Sequence, residues 1–592
     1  MSYTPKHLLY NKDKYPNKPA ISEKIDDTWI TMTWLEYYDY VVKIAKSLIA
    51  MNLQVGDKGS IYSYNRKEWF GCYSAMQMLN SVSVAVYHTS SASEVEWIVG
   101  NSDSKIVFVG HNPNDNEENE KMPINRLISI ADKIETIETI VLMGDDIKAE
   151  KKDNIISWDD FLAKGRDVTD DDVIKRMNSI NGDDTSSLIY TSGTTGNPKG
   201  VELTHNNFKV ELDSVGKVLK FNQGDRYVSW LPLAHVFGQL VDNHYWVRRA
   251  LHMSIVDGPL NTIDYAKEIQ PHLFISVPRI YEKVYSNLKA AIETKAILKI
   301  GLKIPLLASI FKKKLRAAAG FGSNRFSISG AAPINPEILK FFHYLGIPIY
   351  EGYGMTENTA GISINYGGHN KIGSVGKCMP FFDLMIASDG EVLIKGENVM
   401  KGYYKNKKAS EETIIDGWLH TGDVGKIDSD GYLYITGRKK EIYVSSSGKN
   451  IAPLVIEETM KSIPIVSQCF LVGDGRKFCS ALITLDMSVI LRDYIGIDVN
   501  EIPKDPTKQN ELIISNNKKL SDFTESKDIF NVVSDEIEKL NQKFSDPEQI
   551  KKFLILPRDF SIDEGELTPT LKIRRKQIND NWSEVINAMY SQ

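Results

Sequence analysis

Residues 190–205, Tyr-Thr-Ser-Gly-Thr-Thr-Gly-Asn-Pro-Lys-Gly-Val-Glu-Leu-Thr-His, follow the short apolar run of residues 187–190 and gather hydroxyls, glycines and one lysine in a single stretch. These residue types suit the holding of phosphate. Gly193, Gly196 and Gly200 carry no Cβ, so the chain can curl and turn several N–H groups toward one anion. Thr191, Ser192, Thr194 and Thr195 add hydroxyl donors, and Lys199 adds a mobile positive charge. Clusters of Gly, Ser, Thr and Pro are most often plain turns, but the spacing argues for a ligand here. No Gly-x-x-x-x-Gly-Lys-Ser/Thr runs through the stretch, so it is not the Walker type of phosphate loop.

Other constellations gain weight from this one. Residues 327–333, Ser-Ile-Ser-Gly-Ala-Ala-Pro, read as a strand ending in the small residues Gly330, Ala331 and Ala332, where a flat base could approach the backbone. In Glu351-Gly352-Tyr353-Gly354-Met355-Thr356-Glu357, glycines flank an aromatic ring and are followed by a hydroxyl and a carboxylate. Carboxylate oxygen suits Mg²⁺, a hard cation, although an isolated glutamate is usually just solvated. Asp423 reads as lying in a turn and Arg438 at the end of the strand that follows; a carboxylate can accept both hydroxyls of a ribose. His235 closes a buried apolar run, a position where packing is the commoner role. Lys572 lies in Leu-Thr-Pro-Thr-Leu-Lys-Ile-Arg-Arg-Lys (567–576), which as a charge run alone would be a solvated face.

The elements that must position these residues follow from periodicity. Apolar residues at helical spacing over 33–50, a strand at 60–63, a helix over 68–79, a strand at 82–87, a helix over 93–99 and a strand at 105–109 alternate as in a mostly parallel sheet covered on both faces. Residues 111–125 read as a solvated loop, and 495–527 as polar and loop-rich. Ile529, Val533, Ile537, Leu540 and Phe544 mark one packed helix face. Composition changes after Gly437, which places a domain boundary there, with units 1–437 and 438–592.

At 592 residues the chain exceeds one compact core. A net charge of −6 gives no basic field for nucleic acid. Cys72, Cys378, Cys469 and Cys479 form no Cys-x-x-Cys pair, and with no signal-peptide core or membrane span in evidence the sequence reads as cytoplasmic. No repeat or heptad seam points to a particular assembly. Residues 294–336 contain no Asp or Glu, while lysines from Lys295 to Lys314 interleave with aliphatic residues. Over 295–316 that pattern fits either a peripheral membrane contact or a solvated helical face interrupted at Pro305.

Together these segments are similar, in type and order, to the adenylate-forming superfamily, and in the tail motif and Glu-Gly-Tyr-Gly-Met-Thr-Glu-Asn most resemble its long-chain fatty acyl-CoA synthetases. The resemblance implies an α/β fold: a large N-terminal domain of layered sheets and helices and a smaller, mobile α+β C-terminal domain. It implies ATP, CoA and a fatty acid as substrates with Mg²⁺ as cofactor. Residue by residue, Thr191 to Lys199 (Thr191, Ser192, Gly193, Thr194, Thr195, Gly196, Lys199) would embrace the phosphates. Gly330, Ala331, Ala332 and the segment Glu351 to Met355, with Tyr353 foremost, would take the adenine, and Asp423 with Arg438 the ribose. Thr356 would meet the α-phosphate, Glu357 and Thr191 the metal, and His235 the substrate carboxylate. Lys440 matches the hinge, Ser447 and Gly448 the CoA segment, and Lys572 the adenylation lysine. Leu571 stands where much of the superfamily has glycine. Trp230, Phe237 and Gly238 are expected at the mouth of the acyl tunnel. Transfer to a carrier protein, an aryl or medium-chain acid as substrate, luciferase-like oxidation and a non-catalytic nucleotide-binding scaffold are the alternatives.

Overall fold

A computed structural model describes residues 3–112, 122–144, 152–191, 197–444, 450–499, 501–568 and 572–591. Two large mixed sheets carry the N-terminal part. The first runs Gly402–Tyr403, Lys199–Thr204, Thr185–Thr191, Val82–Val86, Lys58–Tyr62, Ser104–Val109, Thr139–Leu142, Ile155–Ile156 in spatial order. From Thr185–Thr191 onward its neighbours are parallel, as the helix–strand alternation predicts. The strands Thr185–Thr191 and Lys199–Thr204 instead form an antiparallel pair, with Thr191 opposite Lys199, so the two ends of the phosphate-loop segment are pinned together.

The second sheet has nine strands with a parallel centre that includes Arg226–Ser229, Leu273–Ser276, Phe326–Ser329 and Ile349–Tyr353. Its parallel strands bring the chain after Ser329 and the Tyr353 segment out at the same sheet edge, as crossover topology requires. A third sheet, with Asp383–Ile386, Glu391–Lys395, Trp418–Ile427 and Leu433–Arg438, is wholly antiparallel, so the alternating rhythm stops before it.

Helix starts are chemically marked. Thr33 with Glu36, Ser91 with Glu94 and Thr204 with Asn207 form reciprocal capping boxes, the last starting the helix His205–Val218 directly after the phosphate-loop hairpin. Buried apolar clusters of the N-terminal part draw on residues 8–419 and 62–190, whereas those of the C-terminal part draw on 443–550 and 470–589.

Three expectations need correction. Helix Pro123–Ala131 begins inside the stretch read as a loop. Residues 506–515 form a helix in the tail read as loop-rich, because Asp505 caps it, Pro506 occupies its first turn and Gln509 and Ile513 are buried. Asp423 stands within the strand Trp418–Ile427, where Gly422 at φ 71° and a register shift at Val424/Gly425 put turn-like residues inside a ladder. The packed face survives with one adjustment: Ile529, Val533 and Ile537 are buried on helix Lys527–Asn541, and Phe544 packs from beyond its end.

Candidate active site

A cleft of about 2390 Å³ opens between the parallel-sheet edges and the C-terminal unit. Its lining includes Thr191, Lys199, His235, Gly330, Ala331, Ala332, the segment Glu351 to Glu357, Asp423, Arg438, Lys440 and Lys572. These residues span more than 380 positions of sequence. Ser192, Gly193, Thr194, Thr195, Gly196, Ser447 and Gly448 lie outside the described residues.

At one side Asp423 is buried and held at both oxygens: Arg438 Nε is 3.0 Å from Oδ1, and the Tyr353 hydroxyl donates to Oδ2 at 2.7 Å. Each oxygen keeps a further lone pair, so the carboxylate is oriented yet still able to accept. Backbone shape at the neighbouring strand ends is permissive to close approach: Ala331 has φ 69°, and a Cβ on Gly354 would stand 2.1 Å from the Ala360 carbonyl oxygen. Glu351 lines the cleft, but its carboxylate accepts from the Gly373 N–H at 3.3 Å, and burial raises its pKa to about 8.

Thr356 and Glu357 form a short 3-10 turn and are both buried. Burial pushes the Glu357 carboxyl up, while the Tyr403 hydroxyl, donating to Oε1 at 2.9 Å, draws it back. Lys199 Nζ lies 4.9 Å over the same Tyr403 ring, so the loop lysine and the buried carboxylate converge on one tyrosine. Behind the turn, Asn398 donates to the Asn358 and Gly361 carbonyl oxygens at 3.2 and 3.1 Å, across Thr359 and Ala360 at φ 57° and 86°. That buried amide holds a left-handed pair of residues that the backbone would otherwise avoid.

His235 accepts from the Phe237 N–H through Nδ1 at 3.2 Å, capping a turn that runs into the π-helical segment Gln239–Tyr245. Burial, and then the positive charge of Lys572, lower its pKa to about 3, so the imidazole is neutral. Lys572 is half-buried, with its N–H donating to Thr568 Oγ1 at 3.0 Å. Burial first and Arg438 second bring its amine down to about 8, against the pull of Asp423. The lysine of the C-terminal unit is therefore electrostatically part of the cleft.

Polar contacts hold the two units in this arrangement. Arg279 donates to the Ser467 carbonyl oxygen and Oγ at 3.1 and 2.9 Å, and Lys461 lies 3.7 Å from Glu282. Lys440 sits exposed in the single 3-10 turn Lys439–Glu441, while its neighbour Lys439 pairs with Asp389 at 2.6 Å and Glu391 at 3.1 Å.

Of the expected tunnel-mouth residues, Phe237 lines the cleft. Trp230 does not: its indole N–H donates to the Ile275 carbonyl at 2.9 Å and the ring joins the core. Gly238 packs against the Pro232 carbonyl oxygen, which a Cβ would approach to 2.6 Å. Sequence reasoning missed Tyr403, Asn398 and Arg279. Tyr403 arrives only because Gly402–Tyr403 pairs with Glu202 and Val201, a non-local pairing without local signature.

A profile of AMP-binding enzymes matches residues 9–404, and one of the AMP-binding enzyme C-terminal domain matches 440–493 and 506–592. The long-chain-fatty-acid–CoA ligase FadD15 of Mycobacterium bovis is 32% identical over 97% of this chain and 95% of its own. The long-chain-fatty-acid–CoA ligase ACSBG2 of Xenopus laevis is 30% identical over 99% of this chain and 83% of its own. The crystal structure of the anthranilate CoA ligase AuaEII in complex with anthranoyl-AMP shares the fold, with a TM-score of 0.74 at 18% identity, covering 99% of this chain and 98% of that one.

Proposed function

We propose that this chain, which belongs to the AMP-binding enzyme family, joins a long-chain fatty acid to CoA at the expense of ATP, giving acyl-CoA, AMP and pyrophosphate. The observation that carries the choice of acid is the apolar part of the cleft's lining. Leu219, Leu240, Val241, Leu273, Ile275 and Ile328 line it from helix His205–Val218 and its end, the π-helical segment and two central strands, and all are buried. Each methylene that such a wall takes from water contributes about 0.8 kcal/mol, which favours long chains over short ones.

In the first half-reaction a carboxylate oxygen attacks the α-phosphorus and the bond to pyrophosphate breaks. Two anions must meet, and the leaving group gathers charge. Lys572, Lys199 and the loop N–H groups offset that charge; Thr356 contacts the α-phosphate, and neutral His235 sits beside the acid without the imidazolium charge that would tie up the attacking carboxylate. Gly330 to Ala332 and the segment Glu351 to Met355, chiefly Tyr353, take the adenine, and the Asp423–Arg438 pair takes the ribose.

The donor set fits Mg²⁺. Glu357 and Thr191 offer hard oxygens, and no cluster of three His, Cys, Asp or Glu among the described residues could cage a metal by itself, so phosphate and water would complete the shell, as is usual for this ion. Bound there, Mg²⁺ would supply Lewis-acid neutralisation of the phosphates. Replacing Tyr403 by Phe removes the hydroxyl that partly offsets the burial of the Glu357 carboxylate, and should raise the Mg²⁺ concentration for half-maximal rate about tenfold; an unchanged Mg²⁺ titration would detach Tyr403 from the metal site.

In the second half-reaction the C-terminal unit, divided from the first at 437/438, turns about Lys440. Lys572 withdraws and the Ser447–Gly448 segment meets CoA. The CoA sulfur attacks the acyl carbon, the carbon–oxygen bond to phosphate breaks, and AMP leaves. Residues 295–316 belong to the same reading as the contact with the lipid in which a long-chain acid resides.

The test is to incubate the protein with ATP, Mg²⁺ and acids from acetate to oleate, with and without CoA, and to measure AMP and products by mass. Long-chain acyl-CoA formed only with CoA is the expected result. Acyl-AMP accumulating without thioester would transfer the acceptor role to a carrier protein, and ATP binding without AMP from any acid would leave a nucleotide-binding scaffold.

A further inference from the structure

Helix His205–Val218, which starts directly after the phosphate-loop hairpin, carries a carboxyl on its buried face. Glu211 is 0% exposed, and burial pushes its carboxyl well above the usual carboxylate range, so the group is neutral. Its Oε2 accepts from Asn398 Nδ2 at 3.1 Å, which leaves the proton on Oε1. Oε1 has no hydrogen-bond partner among the described residues and lies so close to Gly361 that a Cβ there would stand 2.5 Å from it. An orphaned polar atom in the interior costs stability, and leucine or methionine would fill the same space without that cost. Packing alone does not call for an acid here.

What the acid does follows from its partners. Asn207, one turn earlier on the same helix, donates through Nδ2 to the Glu397 and Val399 carbonyl oxygens at 2.7 and 3.0 Å, so Asn207 and Glu211 together grip the segment 397–399. That segment holds the turn around Glu357. The amide that meets Glu211 also donates to the Asn358 and Gly361 carbonyl oxygens, the Thr359 hydroxyl donates to the Asn398 carbonyl at 2.7 Å, and the Met400 N–H donates to the Glu357 carbonyl at 2.8 Å. A continuous chain of bonds therefore runs from the helix behind the phosphate loop to the turn that carries the buried Glu357 carboxyl. The Asn398 amide must keep its N–H side toward those two carbonyls, because its oxygen would repel them, and the acceptor at Glu211 Oε2 fixes that orientation. We propose that Glu211 is a positioning residue: through Asn398 it sets the turn bearing Glu357 against the phosphate-loop hairpin bearing Thr191. The inference deepens the reading of Thr191 and Glu357 as metal ligands and rests on it.

Equilibrium binding of α,β-methylene-ATP to the full-length protein, measured by calorimetry with Mg²⁺ or with EDTA and without acid or CoA, tests it. Mg²⁺ is expected to tighten binding to the natural protein. Glu211→Met, which keeps the volume and removes the acceptor, should cut that tightening about tenfold and leave binding in EDTA unchanged. Glu211→Gln, which still presents an acceptor to Asn398, should restore it, and Glu211→Met should add nothing to Asn398→Ala. Glu211→Asp, whose carboxyl falls short of Asn398, should lose as much as Glu211→Met, and it decides the matter if Glu211→Met does not fold. An undiminished Mg²⁺ effect in the variants that lack the acceptor overturns the inference. So does equal weakening with and without Mg²⁺, which would make Glu211 a packing residue, or additive losses from Glu211→Met and Asn398→Ala, which would place its action elsewhere. A natural protein that binds the analogue with no Mg²⁺ effect would remove the metal-site reading and the inference with it, whereas the same Mg²⁺ effect in the natural protein and in Glu211→Met would end the inference and leave that reading standing.

Discussion

Replacing Lys572 by alanine is expected to slow acyl-AMP formation by about 100- to 1000-fold, the usual loss for one preorganised donor. Thioester formation from supplied acyl-AMP should change far less, because in the proposed second half-reaction this lysine has left the cleft. The amine also predicts a pH profile. Burial and Arg438 hold its pKa at about 8, and only the protonated form offsets charge on the phosphates. In the free enzyme, adenylation measured as kcat/KM should accordingly fall as pH rises through about 8. Lys572→Arg, whose guanidinium stays charged there, should remove that descending limb even if its rate is lower. Equal losses in both half-reactions for the alanine variant would sink the assignment.

The sequence made the chemistry legible where one short segment holds several participating residues. The Glu351 to Glu357 segment and the phosphate-loop strands are local, and the structure brings their described residues to the same cleft. What local reading could not supply are residues delivered by pairing or packing. Tyr403 reaches Glu357 through an edge strand, Asn398 steadies the turn from 40 positions away, and Arg279 acts between units. Asp423 shows the converse failure. Its glycine neighbours suggest a turn because glycine tolerates positive φ, but the same tolerance also builds a bulged strand. Trp230 is a side chain of suitable type that packs inward: it follows the end of the strand Arg226–Ser229, whose last three residues are all buried, so no alternation marks which side faces the cleft.

The proposed hinge at Lys440 carries the second large prediction. Lys440→Pro should leave adenylation near its natural rate and slow acyl transfer to CoA by about 10- to 100-fold, the equivalent of the 1–3 kcal/mol that a strained backbone torsion costs. In the 3-10 turn Lys439–Glu441 the backbone lies near the φ that proline fixes, so the arrangement with Lys572 in the cleft remains accessible. Lys440 is exposed, and the ion pairs of this turn join Lys439 to Asp389 and Glu391 and Glu441 to Arg575, so the substitution leaves those contacts with their own side chains. The proposed turn of the unit would also break the Arg279–Ser467 and Lys461–Glu282 contacts. These two obstacles can be separated. Arg279→Gln loosens the arrangement in which Lys572 occupies the cleft, so it should slow adenylation and spare the CoA step, the opposite split from Lys440→Pro. Measuring both half-reactions for both variants decides the matter: a proline variant that loses adenylation first would move the pivot away from Lys440.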